Sequence, residues 1–156
     1  MFCIKMAKKQ KRIIGSILKV PLNDGTHTYA QTLPEADFVI FDARSTSNLD
    51  PDEIVNRPIL FRVAVHKSAW CDGRWERIGK SELNEQLIEA DPKFIQDSIN
   101  PEKFQIYLAG EIRNATKEEC LGLECCAVWE PEHVEDRIRD HYAGVPNVWL
   151  ESLKIK

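Results

Sequence analysis

Residues 13–42 read IIGSILKVPLNDGTHTYAQTLPEADFVIFD, and this stretch decides the fold class. Leu18, Val20 and Leu22 recur at every second position with Lys19 on the other face, the period of a strand with one side in a core. The run then meets Asn23-Asp24-Gly25, residue types that tolerate the positive φ of a tight turn. The return segment, residues 26–33, is rich in β-branched and aromatic side chains. Residues 13–33 therefore predict a β-hairpin. A turn at Pro34-Glu35-Ala36 leads into Phe38-Val39-Ile40-Phe41, an apolar run without a polar break. Such a run predicts a strand covered on both faces, at the centre of a sheet.

Further along, Asp50 and Pro51 open a short helix at residues 51–56, as N-cap and first helical residue. Ile59, Phe61, Val63 and Val65 alternate with Leu60, Arg62, Ala64 and His66, which predicts a strand with one buried face. Residues 81–88 suit a short amphipathic helix capped by Ser81. Phe104, Ile106 and Leu108 restore the period of two in a strand at 103–109, and residues 125–129 offer another. The clearest helix is 131–143, where Val134, Ile138 and Tyr142 share a side and Gly144 supplies a stop. Its first turns are acidic and its later ones carry Arg137, Arg139 and His141, matching the helix dipole. Val148, Leu150 and Leu153 predict a last strand. Adjacent hairpins with few, short helices indicate an α+β fold on a curved antiparallel sheet, able to close into a small barrel, with short peripheral helices.

At 156 residues the chain suits a single domain spanning 1–156. Residues 1–12, with the basic run Lys8-Lys9-Gln10-Lys11-Arg12, read as a flexible arm. An apolar share of 43% and a charged share of 29% are ordinary for globular proteins and exclude a disordered chain. No apolar run approaches the roughly 18 residues of a membrane span, and no export signal is visible, so the expected place is the cytoplasm, with no membrane partner. Five cysteines, Cys3, Cys71, Cys120, Cys125 and Cys126, form no disulfide framework and read as reduced thiols. A net charge of −4 and a pI near 5.6 disfavour nucleic acid as a partner, because phosphate binding needs clustered Lys and Arg.

Residues 63–78, VAVHKSAWCDGRWERI, hold the side chains most suggestive of chemistry. Cys71 lies five positions after His66, yet a thiol nucleophile needs its base within hydrogen-bond reach, and no thiol-enzyme motif surrounds the pair. Cys120, Cys125, Cys126, His133 and His141 do not follow zinc-ligand spacing. The seven glycines are scattered, so no phosphate-binding loop exists. The residues therefore predict no enzyme, no cofactor and no metal. The stretch suits a structural corner: a strand ends, Asp72-Gly73 turns, and Trp70 and Trp75 clamp the turn. Tryptophans half exposed at a loop also anchor protein interfaces.

The ordered blocks IIGSILKVPLNDGTHTYAQTL at 13–33, FVIFD at 38–42 and RPILFRVAV at 57–65, followed by Trp70, Gly73-Arg74-Trp75 and Ile78-Gly79, resemble the immunity protein 26 family of bacterial polymorphic toxin systems. The similarity spans about residues 11–100 and does not extend through the last third of the chain. It implies a cytoplasmic protein encoded beside a toxin gene, as in contact-dependent growth inhibition. That protein binds the cognate toxin domain and neutralises it without catalysis. An acidic chain associates faster and more selectively with a toxin bearing a basic cleft, a nuclease for example. The expected partner-binding residues are Trp70, Asp72, Trp75, Glu76, Glu132, Glu135, Asp136 and Asp140. The rival readings are a module holding a peptide or small ligand on its curved sheet, and an enzyme using Cys71 and His66.

Overall fold

The computed structural model describes residues 9–156; Cys3 and most of the expected arm fall in residues 1–8, outside the described residues. Among the described residues ten strands form: β1 (Ser16–Pro21), β2 (His27–Thr32), β3 (Asp37–Ser45), β4 (Ile59–Val65), β5 (Glu76–Lys80), β6 (Lys93–Gln96), β7 (Phe104–Leu108), β8 (Glu111–Ala115), β9 (Glu124–Cys125) and β10 (Val128–Trp129). Five helices accompany them: α1 (Pro51–Ile54), α2 (Glu85–Ile88), α3 (Lys117–Cys120), α4 (Pro131–Ala143) and α5 (Val148–Ser152). A single 3₁₀ turn lies at Lys67–Ala69.

The strands build two open sheets, ordered β10-β4-β3-β2-β1-β5 and β8-β7-β6-β9. The pairings are antiparallel except β4 with β10 and β6 with β9, which are parallel. The fold is thus α+β, but among the described residues neither sheet closes into a barrel, because β5 and β10 end the larger sheet as separate edges. The predicted hairpin is β1–β2, with Leu18 opposite Ala30 and Val20 opposite Thr28. Its turn holds Asn23 at φ 58° and Gly25 at φ 86°. A Cβ on Gly25 would touch nothing, so glycine serves there for its backbone freedom alone.

The apolar run of β3 is buried on both sides. Phe38 and Ile40 join one core with Leu18, Val20, Phe61, Val63, Trp75, Trp129, Val134 and Ile138. Val39 and Phe41 join a second core with Ile17, Tyr29, Ile54 and Leu87. Helix α4 closes the first face, while α1, α2 and their flanking loops close the second. Each fully buried side chain of this size contributes about 1.5–3 kcal/mol, which explains why the centre of the sheet carries no polar break. The smaller sheet has its own core of Phe94, Phe104, Ile106 and Cys120.

Two buried ion pairs tie the sheets together. Lys93 on β6, only 4% exposed, reaches Asp37 on β3 at 2.6 Å. Arg137 on α4 meets Glu124 on β9 at 2.5 Å while its guanidinium lies 3.7 Å from the Phe61 ring centroid. Breaking such a pair by removing one partner strands a buried charge, so both crossings are specific joints.

Several predicted elements shift. The helix expected from Ser81 begins only at Glu85, because the Ser81 N–H donates to Gly15 O and its carbonyl accepts from Gln31 Nε2, which extends the β1–β5 edge instead. The expected last strand is helix α5: Asn147 Oδ1 accepts the Leu150 N–H and caps a turn that packs half-buried Leu150 and Leu153, three apart, against the core, rather than alternate residues. Strands β5, β6 and β8 are unpredicted. Within the expected arm, Gln10 donates its side-chain amide to the carbonyls of Trp70 and Trp75, and Arg12 donates to Asp37 O. That part of the arm is held against the fold.

Candidate partner-binding face

The corner at residues 66–75 is built from local hydrogen bonds. The His66 ring nitrogen Nδ1 pairs with Ser68 Oγ at 2.9 Å and accepts the Ser68 N–H, starting the 3₁₀ turn. Gly73, at φ 77°, then reverses the chain, and the Trp75 N–H donates to Ala69 O. Trp75 drops into the core with no exposed surface, edge-on to Phe38 at 6.0 Å between ring centroids. Its indole N–H needs an acceptor there. Glu135 of α4 supplies it, Nε1 to Oε2 at 2.9 Å.

Glu135 is the hub of this region. It is 1% exposed, yet its carboxylate accepts from Arg74 Nε at 2.9 Å, Arg74 Nη2 at 2.6 Å and Asn23 Nδ2 at 3.3 Å as well as from Trp75. The hydrogen bonds to Glu135 hold the Arg74 guanidinium above its ordinary pKa, against the opposing effect of burial. Arg74 also reaches Glu132 at 3.3 Å. One carboxylate therefore fastens the hairpin turn, the tryptophan corner and the first half of α4 into one unit.

The expected interface residues divide accordingly. Trp75 and Glu135 are buried and bonded to each other, so in this structure they present almost no surface and join the corner to α4. Trp70 is half-buried and packs against the core, while Asp72 and Glu76 are exposed on the corner. On α4, Glu132 and Asp136 expose 57% and 38% of their side chains, and half-buried Asp140 accepts from Asn147 Nδ2 at 2.9 Å. Asp136 is bonded to Arg139 one turn on.

A residue not anticipated as a contact joins them. Trp149 of α5 stacks on His133 with ring centroids 3.6 Å apart and donates its N–H to Asp136 Oδ2 at 3.1 Å, leaving 37% of its surface exposed. Val148 beside it is 66% exposed. The face is thus a carboxylate row on α4 with an aromatic and aliphatic shoulder on α5. In the sequence, Trp149 read as part of a strand. The usable signal was Asn147 three residues before Leu150, an N-cap spacing.

The chemical candidates are not assembled. Among the described residues no hydrogen bond joins the Cys71 thiol to the His66 ring, whose Nδ1 is taken up by Ser68. Burial raises the thiol pKa of Cys120, Cys125 and Cys126, which keeps them protonated. Among the described residues no three His, Cys, Asp or Glu side chains stand where they could hold a metal. Both faces of the larger sheet are covered over its centre by packed side chains. A shallow groove of about 580 Å³, lined by Ile14, Gly15, Lys80, Leu83 and Ile88, lies at its β5 edge instead.

A family model described as Immunity protein 26 matches residues 13–105. That span runs from just before β1 into β7 and leaves β8, β9, β10, α3, α4 and α5 beyond it. No curated protein and no solved structure gives a significant match.

Proposed function

The chain belongs to the Immunity protein 26 family, and from that membership we propose that it binds one cognate toxin domain in the cytoplasm and neutralises it without chemistry of its own. The family membership carries this reading; the choice of surface rests on exposure and charge. The proposed contacts are Trp70, Asp72 and Glu76 on the corner with Glu132, Asp136 and Asp140 on α4. Trp149 and Val148 add the apolar area that interface centres use.

The supporting observation is a half-exposed carboxylate row standing on a rigid frame. Glu135 bonds α4 to the corner, so little conformational freedom remains to be lost on binding, and preorganisation of this kind favours affinity. An acidic row suits a toxin with a basic cleft, such as a nuclease, whose approach it would steer. The test is co-expression with the toxin domain encoded by the adjacent gene of the same locus. Growth rescue together with co-purification is the expected result. Rescue without any complex, or no rescue at all, would refute direct neutralisation.

A further inference from the structure

The sheet edges differ in what covers them. β9 and β10 are two residues long. On β5 the Arg77 N–H is already given to Gln10 Oε1 at 2.8 Å. β8 is different: it is five residues long, Glu111 to Asn114 are all exposed, and among the described residues only β7 pairs with it. Long exposed edges present a row of backbone donors and acceptors to another chain.

Register shows which groups are free. Ala109 at φ 51° and Gly110 at φ 85° join β7 to β8 as a two-residue hairpin turn of the primed kind. Such a turn closes on a pair that exchanges both backbone hydrogen bonds, here Leu108 with Glu111, and hydrogen-bonded pairs then alternate along the ladder. Arg113 and Ala115 therefore point their backbone groups at β7, whereas Ile112 and Asn114 point theirs outward. Among the described residues the outward groups meet only one contact, Asn114 O accepting from Arg113 Nη1 at 3.3 Å.

We propose that β8 is a self-association edge: two copies of this chain join antiparallel through it about a two-fold axis at Ile112. This register sets Ile112 opposite Ile112, exchanging two hydrogen bonds, and Asn114 opposite Gly110. It also sets Glu111 opposite Arg113 on both sides of the axis. Cross-strand opposite charges stabilise a pair and like charges oppose it. Moving the axis by one residue puts Glu111 opposite Glu111 or Arg113 opposite Arg113, so charge selects one register. Charged edges ordinarily repel their own kind, but the order Glu-Ile-Arg is self-complementary. Arg113 already pairs with Glu119 at 2.9 Å, both side chains about half exposed at 59% and 44%, an exposed pair that exchanges at little cost. The exposed side chain of Ile112, at 57%, is covered in the dimer. The association is isologous, so it closes at two copies. It is independent of the toxin reading.

Sedimentation velocity of the full chain, run over a concentration series into the hundreds of micromolar, tests this. The wild type is expected to shift from monomer to dimer, and Glu111→Arg to weaken association at least tenfold by facing like charges. The swap Glu111→Arg with Arg113→Glu is expected to restore the dimer. Mixing the Glu111→Arg and Arg113→Glu single variants is expected to give a heterodimer. Circular dichroism confirms that each variant is folded. A wild type that stays monomeric throughout, a dimer indifferent to Glu111→Arg, or a β8 edge that pairs only with a toxin would overturn the proposal.

Discussion

Replacing Glu135 with alanine should be the most damaging single change among the carboxylates of α4. The wild-type carboxylate accepts from Arg74, Trp75 and Asn23 while 1% exposed. Its loss leaves the Trp75 indole N–H buried without an acceptor, which costs about 1–3 kcal/mol. Removing one partner of a fully buried ion pair costs about 3–5 kcal/mol. The Arg74 side chain, however, is 35% exposed and partly recovers water and Glu132, so the total should sit at the lower end. About 3 kcal/mol is expected, equivalent to a fall in Tm of roughly 6–12 °C for a domain of this size. Glu135→Gln keeps the volume and one acceptor but turns an amide toward Arg74, and should cost about half as much. Urea and thermal unfolding measure both. Arg74→Ala combined with Glu135→Ala should show non-additivity of about 1 kcal/mol or more. A Glu135→Ala protein within 0.5 kcal/mol of the wild type would refute the hub, since surface changes away from such features stay about there.

Two further perturbations probe the fold. His27 is buried, its Nε2 within 2.8 Å of Tyr29 Oη and 3.0 Å of Ser47 O; burial and the charge of Lys19 lower its pKa below the ordinary value near 6.5. A depressed histidine contributes stability that is complete above the unfolded pKa and declines as pH falls below it, here across the window from pH 7 to 5.5. The lowered carboxylates Asp24, Asp97 and Glu119 act at still lower pH, and so leave that window to the histidine. His27→Gln should flatten the dependence of the urea midpoint over that window; an unchanged slope would contradict the assignment. Gly15 sits at φ +90°, and a Cβ there would stand 2.7 Å from Ser81 O. Gly15→Ala should therefore cost about 2 kcal/mol in chemical unfolding, from left-handed strain and the displaced β1–β5 edge.

What the sequence revealed depended on whether one periodicity dominated. The β1–β2 hairpin and β3 were legible because alternation, turn residues and an unbroken apolar run all agreed with tertiary burial. Helix α4 was legible for the same reason, with Pro131 at its start and Gly144 at φ 69° at its stop. β6 was not, because Lys93 looks like a surface residue until Asp37 buries it from a strand distant in the chain. α5 was missed because Val148 and Leu150 mimic alternation, whereas Val148 is exposed and Leu150 works with Leu153. The site was legible only in composition. Glu132, Glu135, Asp136 and Asp140 look alike on a helix, yet the Trp75 indole and Arg74 take one of them inward. That selection is made by residues some 60 positions away, as the Arg74–Glu135 and Trp75–Glu135 bonds record.

The central claim is that the carboxylate row of α4 receives the toxin. It is tested most directly by calorimetric titration of the toxin domain with the wild type and the Glu132→Lys, Asp136→Lys double variant, each at low and physiological salt. Unfolding curves confirm that the variant remains folded. The expected result is affinity weakened at least about tenfold, or 1.4 kcal/mol, with a shallower salt dependence. Equal affinity and an equal salt slope for the two proteins would contradict it.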